Sequence, residues 1–451
     1  REEEMFEVPE WAANKVVYQI FPSRFAATEP VDKELWYKAP ITPMDDLHGN
    51  LRGIIEHMDD IQNLGIDVLY MTPIFQSNSC HKYDTTDYYQ IDPSFGTTED
   101  LKELVQKAHE RGMKVVLDAV YNHTGREFFA FADILENGEK SKYRDWYFID
   151  GFPLKSEWGE IPNFKCFGYY GGMPKLNLKN PEVEKYITDV ACYWIKECDI
   201  DGWRLDVGDE ISHFFWKNFR KAVKAVKKDM LIIGEIWHYA GDFLEGDEWD
   251  TVMNYPFYLN LIDLLADEKI TVSQFVQNLG YLKGRLHKNC YPLMWNLIDS
   301  HDTARFLHLC NDNKKKQHLA AAFQLLLPGM PMIYYGDEYA MPGANDPDCR
   351  RGMYWDEEYQ DKEMYEWYKR LIQVRKSHAC IVEGELAGIV TEDEEGTIVL
   401  IRKNGEETIA MIFNCSSSAK KFNEYTQKYN LLTENTFDGN VEGFDAAVIV
   451  L

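Results

Sequence analysis

The stretch Ile200–Val207, with the sequence IDGWRLDV, carries the pattern that indicates how this chain folds. It is a short apolar run that ends in charge, and Arg204 and Asp206, two residues apart, project to the same side of a strand. Glu235 and Asp302 each follow an apolar run of the same kind. Three carboxylates at the ends of three separate strands predict an acid–base site, and paired carboxylates are what glycosidic bond cleavage requires.

Eight apolar, β-branched runs recur along the chain, and helical stretches lie between them. Eight strand–helix units favour an α/β fold of the (β/α)8 TIM-barrel type over a doubly wound sheet. On such a barrel the C-terminal ends of the strands share one face, where enzymes of this architecture place their chemistry. The predicted strands are Val16–Phe21, Val68–Phe75, Val115–Tyr121, Ile200–Val207, Leu231–Trp237, Thr251–Phe257, Leu293–Ile298 and Met330–Tyr335.

The helical stretches between these runs carry apolar residues at intervals of three and four, which is the period of one helix face. Pro181 fits the first turn of one of them, and Asn180 is a suitable N-cap before it. The predicted helices are Leu51–Leu64, Asp100–Arg111, Pro181–Cys198, Phe214–Lys228, Val272–Leu286, Lys315–Leu327 and Lys362–Ser377.

Two segments depart from the barrel pattern and set the predicted domains. Residues 124–177 are rich in aromatic residues and glycine, and so long a connection indicates an inserted subdomain that walls the cleft. After about Cys380, short alternating strands separated by turn signals predict a C-terminal antiparallel β-sandwich domain, 381–451. The barrel is then expected over 1–123 and 178–380.

Composition limits the partners of the protein. The chain has 451 residues, 45% of them hydrophobic, and a formal net charge of −27. This charge disfavours nucleic acid and anionic membranes, because both are polyanions. No apolar run reaches the length of a membrane span, and the N-terminus does not resemble a signal peptide.

The cysteines indicate a compartment. There are nine, an odd number, and no CxxC pair occurs among them. A disulfide scaffold or a zinc site is therefore not expected. Reduced, buried thiols in a reducing compartment are the better interpretation, and we expect the protein to work in the cytoplasm.

The residues around each carboxylate suggest its ionisation. Arg204 beside Asp206 favours the ionised carboxylate, whereas the apolar and aromatic surroundings of Glu235 raise the pKa of its carboxyl group. His301 beside Asp302 offers a donor and an acceptor to substrate hydroxyls. Taken singly, each pair has a structural alternative: an Arg–Asp pair at a strand end, a capping glutamate, or a surface His–Asp pair.

The chain lacks the sequence motifs of three other classes of site. HExxH, GxSxG and a GxGxxG motif in helix context are all absent, which disfavours a zinc peptidase, a serine hydrolase and a nucleotide site. His123, after the third predicted strand, adds a fourth polar strand end. The conjunction of four such ends with an aromatic insertion supports a sugar site, because aromatic faces stack on the apolar faces of sugar rings.

Four motifs, in order and spacing, resemble the conserved regions of the alpha-amylase superfamily, glycoside hydrolase family 13. They are Asp118–His123 (DAVYNH), Gly202–Asp206 (GWRLD), Gly234–His238 (GEIWH) and Ser300–Thr303 (SHDT). The resemblance covers nearly the whole chain. Met173–Asn177 (MPKLN) is similar to a region typical of the neopullulanase, cyclomaltodextrinase and maltogenic amylase subgroup.

The resemblance implies a role for each matching residue. Asp206 is implied as the nucleophile, Glu235 as the general acid/base and Asp302 as the stabiliser of the transition state. The implied substrate-binding residues fall into three groups around the cleavage point. Tyr83, His123, Arg204 and His301 would surround the sugar that is cleaved, Asp346 and Arg350 would hold the next donor sugar, and Trp237 and His238 would lie on the acceptor side.

The implied reaction is retaining hydrolysis of α-1,4-glucosidic bonds in maltooligosaccharides, cyclodextrins, pullulan or starch, with transfer to a second sugar as a side reaction. An α-amylase that favours long starch chains is the close alternative, and a non-catalytic glucan-binding barrel is the alternative from another class. All three carboxylates are present, which argues against the latter.

Departures from the subgroup pattern bear on cofactors and assembly. Gly49-Asn50 stands where the subgroup usually has Gly-Asp in a calcium loop. We therefore expect no required cofactor and no metal site, with calcium left open as an alternative. The subgroup usually begins with an extra β domain that builds a dimer, whereas the barrel here begins near Trp11, so this chain is expected to be a monomer.

Overall fold

The structure, a computed structural model, describes residues 6–451. Eight parallel strands close into a barrel in which each strand pairs with its neighbours in the chain and the last pairs with the first. The predicted TIM-barrel fold is confirmed. Its strands are β1 Val17–Ile20, β2 Val68–Met71, β3 Lys114–Ala119, β4 Gly202–Leu205, β5 Leu231–Gly234, β6 Thr251–Asn254, β7 Trp295–Asn296 and β8 Met330–Tyr334.

Helices surround the barrel, and most begin where the sequence offers a cap. Thr97 and Thr271 each form a capping box, and Asn180 caps the helix in which Pro181 is the first residue. The helices are Pro22–Phe25, Lys33–Trp36, Leu51–Glu56, Met58–Leu64, Thr98–Glu110, Phe129–Asn137, Pro181–Cys198, His213–Val226, Tyr255–Leu261, Val272–Arg285, Phe306–Leu309, Lys314–Leu326, Lys362–Ser377 and Cys380–Glu383.

Several predicted elements are wrong in extent; the strand predicted over Val68–Phe75, for example, ends at Met71, and the one predicted over Leu231–Trp237 ends at Gly234. The strand predicted over Thr251–Phe257 stops at Asn254, because the Asn254 side chain accepts a hydrogen bond from the Phe257 amide (3.2 Å) and caps a helix there. The single helix predicted over Leu51–Leu64 is two helices that meet at His57. An antiparallel hairpin, Phe75–Ser77 with Thr85–Ile91, was not predicted; its loop carries Tyr83 to the barrel face.

The interior of the barrel is filled by side chains, so the chemistry lies above it. Tyr70, Met253, Trp295 and Met332 belong to this interior cluster and are fully buried. Arg204 lies at its upper edge, where its Nε donates to the Met253 sulfur (3.4 Å). The polar residues that follow the strands therefore rest on a packed floor rather than a channel.

The C-terminal domain is an antiparallel sheet that packs on the barrel. Its six strands are Glu385–Glu392, Thr397–Asn404, Glu407–Asn414, Asp445–Val450, Tyr429–Asn430 and Asn435–Thr436, in that order across the sheet. Phe413 on one face stacks on Phe323 of a barrel helix, with ring centroids 4.3 Å apart. A two-stranded sheet, Lys420–Lys421 with Asn440–Val441, contributes Val441 to the cluster on the other face.

The segment between β3 and Pro181 forms its own small core on the barrel face. Phe131, from the helix Phe129–Asn137, packs against Tyr147 and Phe164, with ring centroids 5.0 and 5.2 Å apart. Isolated bridges such as His123 to Lys175 tie the segment to the end of β3. Within residues 6–451, no helix combines the length and the apolar character needed to cross a membrane.

Candidate active site

The guanidinium of Arg204 is the centre of the site. Its side chain is completely buried at the end of β4. Nη1 donates to Asp118 Oδ1 (3.1 Å) and Asp206 Oδ1 (3.0 Å), and Nη2 donates to Glu235 Oε2. Carboxylates from three neighbouring strands therefore converge on one cation, because the strands are parallel and in register.

The main chain fixes Asp206 and Glu235 where the strands end. The Asp206 amide donates to the Ala119 carbonyl (3.1 Å), and the Glu235 amide donates to the Leu205 carbonyl (3.0 Å). Both residues are thus still held by the neighbouring strand while their side chains enter the cleft. Gly234, before Glu235, has no space for a side chain, since a Cβ there would lie 2.2 Å from the Trp249 ring.

The pKa values of Asp206 and Glu235 are both raised by their burial at the strand ends. Burial raises the pKa of Glu235 to about 7, and Arg204 opposes this rise. Burial, followed by repulsion from Glu235, also raises the pKa of Asp206 well above its usual range. The direction for Asp206 is opposite to the one expected from Arg204 alone, because burial and the repulsion from Glu235 outweigh the attraction of that cation. The two groups titrate as a pair, one acid and one base.

Asp302 follows β7 in the chain and lies close enough to this pair for its charge to raise both of their pKa values. Its Oδ2 is 3.3 Å from His301 Nε2, and its Oδ1 is 3.5 Å from Arg350 Nη2. Arg350 also binds Asp346 (Nη1 to Oδ1, 2.8 Å) and donates from Nε to the His301 carbonyl (2.9 Å). The structure thus brings Asp302, Asp346 and Arg350 together.

A chain of hydrogen bonds links the floor of the site. Gln19 Nε2 lies 2.7 Å from His301 Nδ1, His301 Nε2 lies 2.7 Å from the Tyr83 hydroxyl, and that hydroxyl donates to Asp118 Oδ2 (2.9 Å). Burial lowers the pKa of His301 well below its usual value. A neutral His301 that accepts from Gln19 at Nδ1 therefore presents its Nε2–H to Tyr83 and Asp302.

His123 and Tyr83 lie side by side. His123 Nε2 donates to the Tyr83 carbonyl (2.9 Å), and burial lowers the pKa of His123 to about 4. The Tyr83 ring is nearly parallel to the His301 ring, with centroids 5.5 Å apart. Both predicted residues therefore belong to the same wall as His301, and His123 is neutral at physiological pH.

Trp237 and His238 follow Glu235 in the chain and differ in how close they lie to it. Trp237 Nε1 donates to Glu235 Oε1 (3.3 Å), and one face of its ring stacks on Tyr255 at 3.7 Å. His238 is mostly exposed, with Nε2 3.3 Å from Asp209 Oδ2. Trp237 thus touches the proposed acid, whereas His238 is placed further out.

Several residues at the site were not singled out from the sequence. Asp118 and Gln19 lie within strands, and Tyr70 donates to Asp118 from the barrel interior (2.6 Å). Lys175 reaches Asn122 Oδ1 and the Glu210 carbonyl. Asp118 and Lys175 stand inside quoted motifs and could have been found there, whereas Gln19 and Tyr70 carry no local signal because only the barrel closure brings them close.

The side chains of residues 6–451 offer no group of three His, Cys, Asp or Glu residues placed to hold one metal ion. Asn50, in the segment compared with a calcium loop, uses both ends of its amide locally. Its Oδ1 accepts from the Gly53 amide (2.8 Å), and its Nδ2 donates to Thr28 Oγ1 (3.1 Å).

Fold and site together define a class: a barrel enzyme with an acid–base pair of carboxylates on one guanidinium. Comparison with known proteins agrees. The model of the alpha amylase catalytic domain matches residues 19–384. A cyclomaltodextrinase of Geobacillus thermopakistaniensis (strain MAS1) is 46% identical over 420 residues, 92% of this chain and 71% of the relative. Neopullulanase 2 of Thermoactinomyces vulgaris is 43% identical over 417 residues, 91% of this chain and 71% of the relative.

A solved cyclomaltodextrinase structure superposes with a TM-score of 0.93 at 39% identity, covering 98% of this chain and 79% of the other. The chain belongs to the alpha-amylase family. It is a glycoside hydrolase of that family, as the four motifs predict, and its relatives include cyclomaltodextrinases and neopullulanases.

Proposed function

We propose that this α-glucan hydrolase cleaves α-1,4-glucosidic bonds with retention of configuration, in maltooligosaccharides, cyclodextrins, pullulan or starch. The observation that carries the proposal is the placement of Asp206 and Glu235 on the two terminal nitrogens of Arg204. Two carboxyl groups that face one centre and hold one proton supply the acid and the nucleophile of a retaining glycosidase.

In the first step the protonated Glu235 gives its proton to the glycosidic oxygen, and Asp206 attacks the anomeric carbon from the other face. The bond to the leaving sugar breaks and a glycosyl–Asp206 ester forms. In the second step Glu235 takes a proton from water, which attacks the same carbon and releases Asp206. Two inversions restore the α configuration, and a sugar hydroxyl in place of water gives transglycosylation.

The remaining residues are assigned the roles that the family resemblance implies for them. We propose that Asp302 stabilises the positive charge that develops on the sugar ring, in a position set by His301 and Arg350. Tyr83, His123 and His301 are assigned to that same sugar. We assign Asp346 and Arg350 to the next donor sugar, and Trp237 and His238 to the acceptor.

The test is substitution of the pair. Asp206→Asn and Glu235→Gln are each expected to lower kcat on maltotriose by several orders of magnitude, with little change in fold. Asp150→Asn and Glu136→Gln, at exposed positions, are the matched controls. Activity close to that of the unchanged protein in either site variant would defeat the assignment.

Product analysis separates the close alternatives. Chromatography of digests of β-cyclodextrin, pullulan and soluble starch is expected to show cleavage of the cyclic substrate and panose from pullulan. Activity confined to long starch chains would favour the α-amylase alternative. Binding of glucan without release of reducing sugar from any of them would favour a non-catalytic barrel.

We also propose that no cofactor is required, that the chain is a monomer and that it works in the cytoplasm. The first rests on the local use of the Asn50 amide, and the last on nine cysteines, all of them unpaired. Activity that survives dialysis against EDTA, a single species by light scattering, and recovery of the protein in the cytosolic fraction are the expected results.

A further inference from the structure

The inserted segment 124–177 exposes large aromatic side chains that its fold does not use. Trp158 is 93% exposed, Tyr169 87% and Tyr170 50%. We call these three residues the outer aromatic patch. The aromatic core of the same segment, around Phe131, is buried and packs without them. Folding therefore does not explain why aromatic residues occupy these positions.

The hairpin that carries two of these rings has a defined shape. The amide of Phe167 donates to the Met173 carbonyl (3.0 Å), and the amides of Tyr170 and Met173 donate to the carbonyls of Phe167 and Tyr170 (3.1 Å each). The Tyr170 ring lies against Gly172 at the tip, where a Cβ would be 2.5 Å from it. Tyr169 and Tyr170 are thus presented on a hydrogen-bonded turn.

The same hairpin begins at the wall of the active site. Phe167 contacts the His123 ring, with centroids 5.6 Å apart. Met173 packs against Tyr83 and Val120 in a small cluster of its own. The two residues that anchor the hairpin therefore touch two of the side chains assigned to the cleaved sugar, His123 and Tyr83, and the exposed tyrosines lie between these anchors in the chain.

Trp158 lies on the loop that adjoins this hairpin, since a Cβ on Gly171 would be 3.7 Å from the Ser156 carbonyl oxygen. It lies in a turn closed by the Glu160 amide, which donates to the Glu157 carbonyl (3.1 Å), and the preceding Ser156 carbonyl accepts from Arg126. This loop meets the hairpin where Gly171 approaches Pro162, since a Cβ on Gly171 would lie 3.3 Å from the Pro162 ring.

We propose that the outer aromatic patch binds the part of an α-glucan chain that extends beyond the cleavage point, and so favours long substrates over short ones. This rests on the proposed function of the site. Aromatic faces match the C–H faces of glucose rings, and the glucan is uncharged, so the acidic surface of this protein does not oppose it. A short oligosaccharide that fills only the site does not reach the patch.

The test is a double variant, Trp158→Ala with Tyr169→Ala, assayed on maltotriose and on soluble starch. Because each lost stacking contact costs about 3- to 10-fold, kcat/KM on starch is expected to fall about tenfold or more, while kcat/KM on maltotriose stays within about twofold. Both side chains are exposed, so the variant is expected to fold. Tyr429→Ala, at a half-exposed tyrosine of the C-terminal sheet, is the matched control and should change neither value.

A binding measurement gives a readout without turnover. In a Glu235→Gln background, migration through a gel that contains glycogen should be retarded, and the double variant should remove most of that retardation. An unchanged ratio of starch to maltotriose activity would overturn the patch assignment and leave the proposed function intact. Failure of the unchanged protein to hydrolyse any α-glucan would instead overturn the proposed function.

The patch could instead be covered by a second copy of the chain, and the same variants distinguish this. If the unchanged protein dimerises in light scattering and the double variant does not, with the activity ratio unaltered, the patch is a subunit interface and the glucan proposal is wrong.

Discussion

Replacing Glu235 by Gln should make the protein more stable at alkaline pH while it abolishes catalysis. Burial raises the pKa of Glu235 from 4.5 to about 7, so the folded protein resists ionisation of this group. A raised carboxyl pKa contributes stability that is fully present below the unfolded value and is lost as pH rises through the folded value. Gln has nearly the same shape and never ionises, so the variant avoids that loss.

The size of the effect follows from the two pKa values. At about 1.4 kcal/mol for each pH unit between 4.5 and about 7, ionisation of Glu235 costs about 3 kcal/mol above neutral pH. With an unfolding entropy of about 2 cal/mol/K per residue, that corresponds to roughly 3 °C in Tm for a chain of this length. The difference in Tm between the variant and the unchanged protein should shrink to about half near pH 5.5, where only part of the stability loss from Glu235 ionisation has occurred.

The assay is thermal unfolding of both proteins at several pH values from about 5.5 to 8.5. Glu136→Gln, on an exposed helix position, controls for the loss of one negative charge and should follow the unchanged protein at every pH. If the Glu235→Gln variant is no more stable than the unchanged protein at pH 8, Glu235 is not held protonated by burial, and its assignment as the acid loses its physical basis.

Three further predictions follow from the buried charges. The kcat/KM of the unchanged protein should fall as pH rises through about 7, because Glu235 must be protonated to act as the acid; a profile that stays flat to about pH 9 would contradict this. Arg204→Met should lower the free energy of unfolding by about 3–5 kcal/mol, since it leaves three buried carboxylates without their cation, and urea unfolding measures this. Asp337 accepts a hydrogen bond from Arg305 (3.0 Å) and lies within hydrogen-bonding reach of the buried Asp299. Two carboxylates have no proton to share, so Asp337 can donate to Asp299 only when it is protonated. Asp337→Asn should therefore improve stability at alkaline pH, whereas Asp337→Ala should lower it by about 3–5 kcal/mol; equal Tm values for the two variants would refute the shared proton.

The barrel could be predicted because its strands are short, apolar and separated by helices with clear caps. The helices Pro181–Cys198 and Lys362–Ser377 have the predicted bounds, since each begins at a capping side chain. The strand after Thr251 was predicted too long, because Asn254 caps a helix only once the chain has turned. The hairpin that carries Tyr83 was missed for a similar reason: its register shifts at two points, and the pattern of alternation is lost.

The outer aromatic patch could not be predicted from the sequence for a similar reason. Trp146 and Trp158 stand in one aromatic segment, and the sequence offers no reason to treat them differently. In the structure Trp146 is 6% exposed and Trp158 is 93% exposed. Which aromatic residue packs inward depends on how the segment folds back on the barrel, and that is a matter of contacts distant in the chain.

The eight-stranded barrel, the family and the three carboxylates could be predicted from the sequence, because each shows as a pattern of residues that are close together in the chain. The ionisation of those carboxylates depends instead on the tertiary structure. Closing the barrel places Asp118, Asp206 and Glu235 around the single, fully buried guanidinium of Arg204. Arg204 next to Asp206 suggested an ionised carboxylate, but burial and mutual repulsion raise the pKa values of Asp206 and Glu235 in spite of that cation.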